Sequence, residues 1–451
     1  MSESSLEERI QRYGSAVRML RSAPALKFPF LYPPEYSSWH DEQRAWKTTS
    51  VLFDQSHHMA DIRVSGPDVR RLFSDVGVNS MATFGKDRAK QFIACSPDGR
   101  FIGDGILFGL DDDQYSLVGG PLAFNWVAYQ AETGGYDVEV VKDPPTAFNP
   151  GRRQMYRYEL NGPRSGEILE KAQGAPVPQM GFFHMGELTI AGRRVRVLNH
   201  TMAGAPGADN TGLELMGPVE DGPAVLEAIV AAGADFGLRR GGSRAYLTTA
   251  RESGWIPLVV PAIYTGEEMK PYREWLNPRG LEGQASLEGS FDSDNIEDYY
   301  ATPWDLGYGT IIRYDHDFIG RDALERLADQ PHRRKVWLVW DSSDVMGVFE
   351  RSLFGEGTQP RILDLPNAEY GTLIFDKVLA GDSLVGVSTW AGYTANARSF
   401  MSLAMIDEEA ARDGATVTVV WGQPDGGQST PFLVPHVQAE IRATVRLQPP
   451  A

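Results

Sequence analysis

The sequence predicts an α+β protein that ends in a small antiparallel β-domain. Its 451 residues exceed what one hydrophobic core usually accommodates, so we expect two or three packed units. As far as about residue 331, short strand-like runs alternate with helical segments and with turns rich in Gly, Pro and Asp. After Pro331 the runs resemble strands joined by short turns, as in Lys335-Val-Trp-Leu-Val-Trp and Ala415-Thr-Val-Thr-Val-Val-Trp, which favours antiparallel pairing.

The predicted domains are an N-terminal helix with an aromatic, proline-rich lead-in, two α/β parts and the β-domain, over residues 1–35, 36–153, 154–331 and 332–451. Apolar residues recur near helical spacing over residues 4–21. Further helices are expected at 67–76, 121–132 and 222–236. In both α/β parts a strand runs into a Gly-Pro turn that opens a helix, at Gly66 and at Gly162, which indicates a duplicated unit.

Composition excludes several classes of protein. A hydrophobic fraction of 42% argues against a disordered chain, and a net charge of −17 argues against nucleic acid or an anionic membrane as partner, because both need basic patches. The single cysteine, Cys95, excludes an internal disulfide and favours a reducing compartment. Since neither a secretory leader nor a run of roughly 20 apolar residues is found, we expect a cytoplasmic protein. We also expect a monomer or homodimer.

The most distinctive motif is Phe53-Asp-Gln-Ser-His-His-Met59. It places two adjacent imidazoles and the carboxamide of Gln55 in an apolar setting, and histidine can hold or give a proton near neutral pH. A core histidine bonded to backbone explains His58 about as well as an acid–base role. If the segment is a strand, His57 and His58 point to opposite faces, so one of them faces a cleft. No metal site is predicted, because the eight histidines show no metal-ligand spacing.

Several motifs resemble the glycine-cleavage T-protein (aminomethyltransferase) family, in the family's order, from about residue 36 to 445. After the 53–59 motif come Phe101-Ile-Gly-Asp-Gly-Ile-Leu-Phe, Gly212-Leu-Glu-Leu, Thr302-Pro-Trp-Asp-Leu-Gly-Tyr, Phe318-Ile-Gly-Arg-Asp-Ala-Leu and Val385-Gly-Val-Ser-Thr-Trp-Ala-Gly-Tyr. The resemblance implies a ring of three domains that ends in a β-barrel-like domain, with tetrahydrofolate in a central channel.

Within that family the chain is most similar to the tetrahydrofolate-dependent aryl-ether O-demethylases of lignin catabolism. Besides the 53–59 motif, Gly242-Ser-Arg-Ala-Tyr246 and Glu252-Ser-Gly-Trp255-Ile-Pro carry this similarity. It implies that the methyl group of a methoxyphenol or methoxybenzoate moves to N5 of tetrahydrofolate, which leaves a catechol-type phenol. The alternatives are an aminomethyltransferase, a demethylase of sulfur or nitrogen methyl groups, and a non-enzymatic folate-binding protein.

The resemblance also implies roles for single residues. His58 would protonate or hydrogen-bond the leaving oxygen, Tyr246 would donate to it or orient it, and Glu214 would accept N–H bonds from the pterin ring. From the residues alone, ordinary packing or solvation explains Tyr246 and Glu214 better. The full expectation is catalytic: His58, Tyr246, Gln55; cofactor-binding: Glu214, Trp255, Asp104, Tyr308; substrate-binding: Phe30, Tyr32, His57, Gly120, Arg244.

Two features depart from the family. Benzoate demethylases carry an arginine for the substrate carboxylate in a Val-Gly-Arg context, whereas this chain has Val118-Gly-Gly120. Either the substrate is a neutral methoxyphenol, or Arg244 or Arg251 takes the place of that arginine. Residues 208–211 are, in addition, inserted in the folate loop.

Overall fold

The computed structural model describes residues 3–24, 29–203, 212–427 and 435–450. The Phe28 end of the aromatic lead-in and the predicted insertion at 208–211 lie outside these ranges. The predicted α+β class is confirmed. The helices are α1 Leu6–Tyr13, α2 Ala16–Arg21, α3 Trp39–Thr48, α4 Val69–Val76, α5 Pro121–Thr133, α6 Ser165–Gln173, α7 Gly222–Gly233, α8 Ser243–Tyr246, α9 Thr249–Ser253, α10 Lys270–Trp275, α11 Leu281–Gln284, α12 Arg321–Leu327 and α13 Ser342–Phe354.

The strands build two open sheets and a barrel, apart from one isolated pair. They are β1 Val51–Asp54, β2 Ala60–Ser65, β3 Ala89–Cys95, β4 Phe101–Asp111, β5 Gln114–Gly119, β6 Glu139–Asp143, β7 Met155–Asn161, β8 Met185–Ile190, β9 Arg193–Asn199, β10 Gly212–Pro218, β11 Arg239–Gly241, β12 Leu287–Glu288, β13 Arg333–Trp340, β14 Leu373–Ile374, β15 Asp376–Ala380, β16 Ser383–Thr394, β17 Ser399–Asp407, β18 Thr416–Trp421 and β19 Ala439–Arg446.

The helix predicted over residues 4–21 is interrupted. Gly14 has a left-handed backbone, with φ of 80°, and ends α1, as glycine commonly does. Ser15 then caps α2 through its side chain, which accepts a hydrogen bond from the Arg18 amide at 3.1 Å. The chain therefore turns here and packs two short helices in place of one long helix.

The first open sheet has five antiparallel strands in the order β3-β4-β5-β2-β6. Helices α4 and α5 cover it, and the largest core cluster forms between them. The Gly66 turn after β2 has φ of 137°, and the Gly162 turn after β7 has φ of 135°, so the two predicted turns share one conformation. This common turn conformation agrees with the similarity predicted between the two α/β parts.

The second open sheet has six strands in the order β11-β1-β7-β10-β9-β8. Because side chains alternate along β7, Tyr158 and Leu160 pack against α6 and α7, while Arg157 and Glu159 point to the opposite face. Strand β1 comes from the predicted 36–153 part and pairs with β7 and β11 of the 154–331 part. The first part thus contributes β1 to the sheet of the second part, and the boundary at 153/154 stays a prediction.

The predicted C-terminal β-domain is a closed six-stranded barrel, ordered β13-β17-β16-β15-β18-β19, with every pair antiparallel. Its core holds the buried side chains of Trp340 and Trp421. Closure leaves no free strand edge inside the barrel. In the part of the chain that the structure describes, no helix has the length and apolar content to cross a membrane.

Candidate active site

The motif at 53–59 leaves β1, turns and enters β2, so the two histidines lie in a turn and not on a strand. Two hydrogen bonds anchor the turn to β7. The backbone N–H of Gln55 and the hydroxyl of Ser56 both donate to the carbonyl of Arg157, at 2.9 and 3.2 Å. His57 is half-buried, and its Nδ1 lies 3.1 Å from the Thr146 hydroxyl. The strand-based expectation of opposite faces therefore does not apply, and His58 is the histidine that meets the predicted catalytic tyrosine.

Aromatic rings surround His58. The imidazole packs edge-on against Tyr246, with ring centroids 4.5 Å apart, and lies 5.2 Å from Phe30 and 6.0 Å from Tyr32. The short helix α8 delivers Tyr246, and the lead-in delivers the other two rings. Sequence elements up to about 216 residues apart thereby form one aromatic enclosure, which unites four of the predicted site residues.

Burial sets the protonation of this pair. The ring nitrogens of His58 are buried, and burial, aided by the neighbouring His57 and Arg153, lowers the pKa of His58 to about 3. His58 is thus a neutral imidazole at neutral pH. The pKa of Tyr246 is raised well above its ordinary value by burial and then by the charges of Glu159 and Glu214, with a hydrogen bond from Gln55 opposing the shift. Tyr246 therefore keeps its proton.

Two methionines complete the enclosure, and sequence reasoning gave them no role. The Tyr246 hydroxyl lies 3.9 Å from the sulfur of Met59 and 3.9 Å from that of Met202. The side-chain amide of Gln55 donates to the Met202 sulfur at 2.7 Å. Thioethers are weak acceptors, so this hydroxyl remains a strong donor for a better acceptor. Met59 closes the 53–59 motif, but no pattern in the sequence pointed to Met202.

A buried carboxyl cluster lies on the inner face of the six-stranded sheet, the face opposite to α6 and α7. Arg157 donates to Glu214 Oε1 at 2.8 Å and to Asp61 Oδ2 at 2.7 Å. Glu159 sits opposite Glu214 in the β7–β10 register, and its side chain is fully buried. His200 Nδ1 approaches Glu214 Oε2 to 3.9 Å. Arg157 and Glu159 were not singled out from the sequence, although both fall on the same strand face two residues apart.

Asp104 anchors a second cluster. Its Oδ2 accepts hydrogen bonds from Gln91 at 2.7 Å, Trp255 at 3.1 Å and Tyr308 at 2.6 Å. Burial raises the pKa of Asp104, and these three donors together with the charge of Lys335 oppose the rise. The predicted cofactor residues therefore divide into two groups: Asp104, Trp255 and Tyr308 lie together, and Glu214 lies with Arg157.

Gly119 and Gly120 lie between the histidine turn and the Asp104 cluster. Gly119 pairs with Ala60, which follows Met59, and also with Gly105, which follows Asp104. Neighbouring strands are about 4.8 Å apart, so the backbones that carry His58 and Asp104 lie roughly 10 Å apart at the same end of this sheet. A Cβ at Gly120 would have no atom within 4 Å, so open space surrounds the position of the family's arginine.

The two arginines considered as its replacement are engaged elsewhere. Arg244 donates to Glu35 at 2.8 Å and to the Leu365 carbonyl at 2.7 Å. Arg251 is fully buried and bonds Glu369 at 2.7 Å and backbone carbonyls of the barrel. In the structure neither guanidinium belongs to the aromatic enclosure.

Known proteins resemble this chain over most of its length. The GCVT N-terminal domain family matches residues 14–259. A syringate O-demethylase from Sphingobium sp. is 41% identical, over 98% of this chain and 95% of its own length. A sesamin methylene transferase from Sinomonas sp. is 30% identical, over 94% of this chain and 91% of its own length.

Among solved structures, the glycine cleavage system aminomethyltransferase T from Bartonella henselae superposes with a TM-score of 0.59. The superposition covers 94% of this chain and 93% of that one, at 16% sequence identity. At that identity the likeness concerns the fold.

Proposed function

Because this chain belongs to the GCVT, or glycine-cleavage T-protein, family, we propose that it is a tetrahydrofolate-dependent O-demethylase of aromatic methoxy compounds. The methyl group moves from the aryl ether to N5 of tetrahydrofolate, and a catechol-type phenol leaves. The observation that carries the proposal is the Tyr246 hydroxyl, which is buried beside a neutral imidazole inside an aromatic enclosure.

The leaving group explains why that hydroxyl matters. A phenol has a pKa near 10, so the departing oxygen gains charge that needs a hydrogen-bond donor. Tyr246 has a raised pKa and supplies a hydrogen bond without surrendering its proton. Its thioether neighbours compete weakly for this donor.

His58 acts here as a neutral group. With its pKa lowered to about 3, His58 is neutral at pH 7, so of the two predicted roles we favour hydrogen bonding over protonation. In this proposal it also orients Tyr246 and packs against the substrate ring. Phe30 and Tyr32 would contact the opposite side of that ring. These assignments, and that of Gln55 as the group that positions Met202 and Tyr246, remain proposals.

The chain offers two groups of residues that fit tetrahydrofolate. The inner-face carboxylates suit the N–H groups of a pterin ring, since Arg157 occupies Glu214 Oε1 and leaves Oε2 as an acceptor. Trp255 and Tyr308, fixed by their bonds to Asp104, offer aromatic faces. The chemistry supplied by the bound cofactor is that of an amine that accepts the methyl group.

The substrate's ring substituents are the finer question. Residue 120 is glycine, and Arg244 and Arg251 form ion pairs elsewhere. This favours a methoxyphenol that binds without an arginine opposite a carboxylate substituent. We place the reaction in the cytoplasm, where the buried thiol of Cys95 stays reduced, and we expect a monomer or homodimer.

The test is anaerobic incubation of the purified protein with tetrahydrofolate and a panel of carboxylated and neutral methoxyphenols. Mass spectrometry should detect equal amounts of 5-methyltetrahydrofolate and demethylated phenol. If folate binds and no phenol forms, the O-demethylase proposal fails, and nitrogen- or sulfur-methyl donors become the substrates to examine.

A further inference from the structure

Glu159 is a buried carboxyl group that the proposed chemistry leaves unused. Its side chain is fully buried on the inner face of β7, and Oε1 accepts one hydrogen bond, from the Met202 amide at 3.3 Å. Among the residues that the structure describes, none donates a hydrogen bond of good geometry to the buried Oε2, although Asn161 lies close enough to favour the charged form. A buried carboxylate so poorly bonded is costly, so the group must be either neutral or matched by a ligand.

The pairing of β7 with β10 explains why Glu159 is neutral. Glu159 and Glu214 are direct partners across β7 and β10, so two carboxyl groups share one buried position. Arg157 bonds Glu214 and not Glu159, which assigns the negative charge to Glu214. Burial and then the charge of Glu214 raise the pKa of Glu159 well above its ordinary value. The groups that face Glu159 are Glu214, Arg157, His200, Asn161 and Tyr246.

We infer that Glu159 and Glu214 bind the pterin ring of tetrahydrofolate as a pair that holds one proton. Glu159 is the neutral acid that donates a hydrogen bond, and Glu214 is the carboxylate that accepts one. A pterin edge carries N–H donors beside a carbonyl oxygen, so it needs a donor and an acceptor side by side. The inference rests on the proposed function and adds a second cofactor-recognition residue to it.

The closeness of this pair to the aromatic enclosure supports the assignment. Both glutamates lie close enough to Tyr246 for a negative charge on either one to raise its pKa, so the pair and the catalytic hydroxyl lie within electrostatic reach of each other. A cofactor bound by the pair is then next to the position of the leaving oxygen. The Met202 amide, which bonds Glu159, belongs to the residue whose sulfur meets the Tyr246 hydroxyl.

A divalent cation is the competing ligand. Single ligand atoms of Glu159, His200 and Glu214 lie within 4.8 Å of one another, which also suits a metal ion. Arg157 opposes this, because its charge already neutralises Glu214 and repels a second cation. Burial lowers the pKa of His200 to about 4, so its neutral imidazole could ligate a cation, and Arg157 is the group that disfavours one.

The test is anaerobic calorimetric titration of the full chain with tetrahydrofolate, in buffers of different ionisation enthalpy, between about pH 6 and 9. In the wild type, Kd should be constant while Glu159 stays protonated in the free protein. As Glu159 ionises, Kd should rise toward about tenfold per pH unit, and proton uptake on binding should grow from zero toward one over the same range. Glu159→Gln keeps a donor that cannot ionise, so Kd should become independent of pH and proton uptake should vanish. Glu159→Leu, which has no donor, should bind weakly at every pH.

Glu282→Gln is the matched control, because Glu282 is also a buried glutamate, hydrogen-bonded to Asn125 and remote from the pair. It should keep the wild-type profile. Proton uptake that persists in Glu159→Gln would overturn the inference, as would a rise in Tm with Zn²⁺ that Glu159→Gln abolishes. A wild type that binds no tetrahydrofolate at any pH would instead reject the proposed function.

Discussion

The hydroxyl of Tyr246 contacts two thioether sulfurs, which are weak acceptors. Its contribution to the leaving oxygen can therefore be measured by removing the hydroxyl alone. In Tyr246→Phe the leaving oxygen loses its donor while the ring packing against His58 is kept. We expect kcat for O-demethylation to fall about 100-fold with little change in KM, as for other removed transition-state donors. The deficit should shrink for substrates whose phenols are more acidic, because they need less stabilisation.

Tyr136→Phe is a suitable control for this substitution. The Tyr136 hydroxyl bonds Asp75 outside the candidate site, so kcat should be unaffected. A loss in Tyr246→Phe that is equal for every leaving group would assign Tyr246 a purely structural role.

Gly120 tests the origin of substrate preference. It has an extended backbone, with φ of −76°, and free space around a Cβ, so an arginine fits there. Gly120→Arg should raise kcat/KM for carboxylated relative to neutral methoxyphenols by about tenfold or more, since a charge-assisted hydrogen bond contributes roughly 1.5–3 kcal/mol. Gly347→Arg, on helix α13, adds the same charge elsewhere and should leave the ratio unchanged. An unaltered ratio in Gly120→Arg would place the substrate's ring substituent away from this turn.

At the level of secondary-structure elements, helix α9 is joined to the barrel through Arg251. The buried guanidinium bonds Glu369 and the carbonyls of Trp390 and Ala391, and the Arg251 carbonyl accepts from the indole of Trp337 at 2.6 Å. Arg251→Met leaves these acceptors buried without their donor. We expect a loss of about 3–5 kcal/mol in the free energy of unfolding, measured by urea titration with tryptophan fluorescence.

The exposed Arg442 provides the comparison for Arg251. It pairs with Asp341 and Asp344 on the barrel surface, where ion pairs contribute little. Arg442→Met should unfold at the wild-type urea concentration. Equal midpoints for the two variants would show that the α9 contact does not hold the barrel in place.

Over the whole molecule, buried carboxyl groups set the response to pH. Burial raises the pKa of Asp104, Glu159, Glu214, Glu252, Glu282 and Asp376, the last to about 7. Between about pH 4 and 7 the folded protein binds more protons at Asp376 than the unfolded chain, so stability falls as pH rises. Relative to Asp376→Asn, the wild-type Tm should fall between about pH 4 and 7. Parallel Tm curves would assign the titration to other groups.

The sequence was sufficient for the architecture because its patterns are local. Strand texture after Pro331 predicted an antiparallel β-domain, the family resemblance predicted its barrel form, and the helices expected at 67–76, 121–132 and 222–236 match α4, α5 and α7 to within a few residues. Local patterns failed where the chain turns: residues 55–58 were treated as a possible strand, so the facing histidine stayed open until the turn was seen. Glu159, Arg157 and Met202 become neighbours through the β7–β10 register and the loop after β9, which no spacing along the chain encodes.

The methionine pair beside Tyr246 also makes the site vulnerable to oxidants. Oxidation of Met59 or Met202 replaces a weak acceptor with a sulfoxide oxygen, which accepts a strong hydrogen bond from the Tyr246 hydroxyl. It also places a polar group among aromatic rings. The donor would then be bound within the protein and lost to the leaving oxygen. The proposed catalytic hydroxyl would thus be lost under oxidative stress, and a methionine sulfoxide reductase would be needed to restore it.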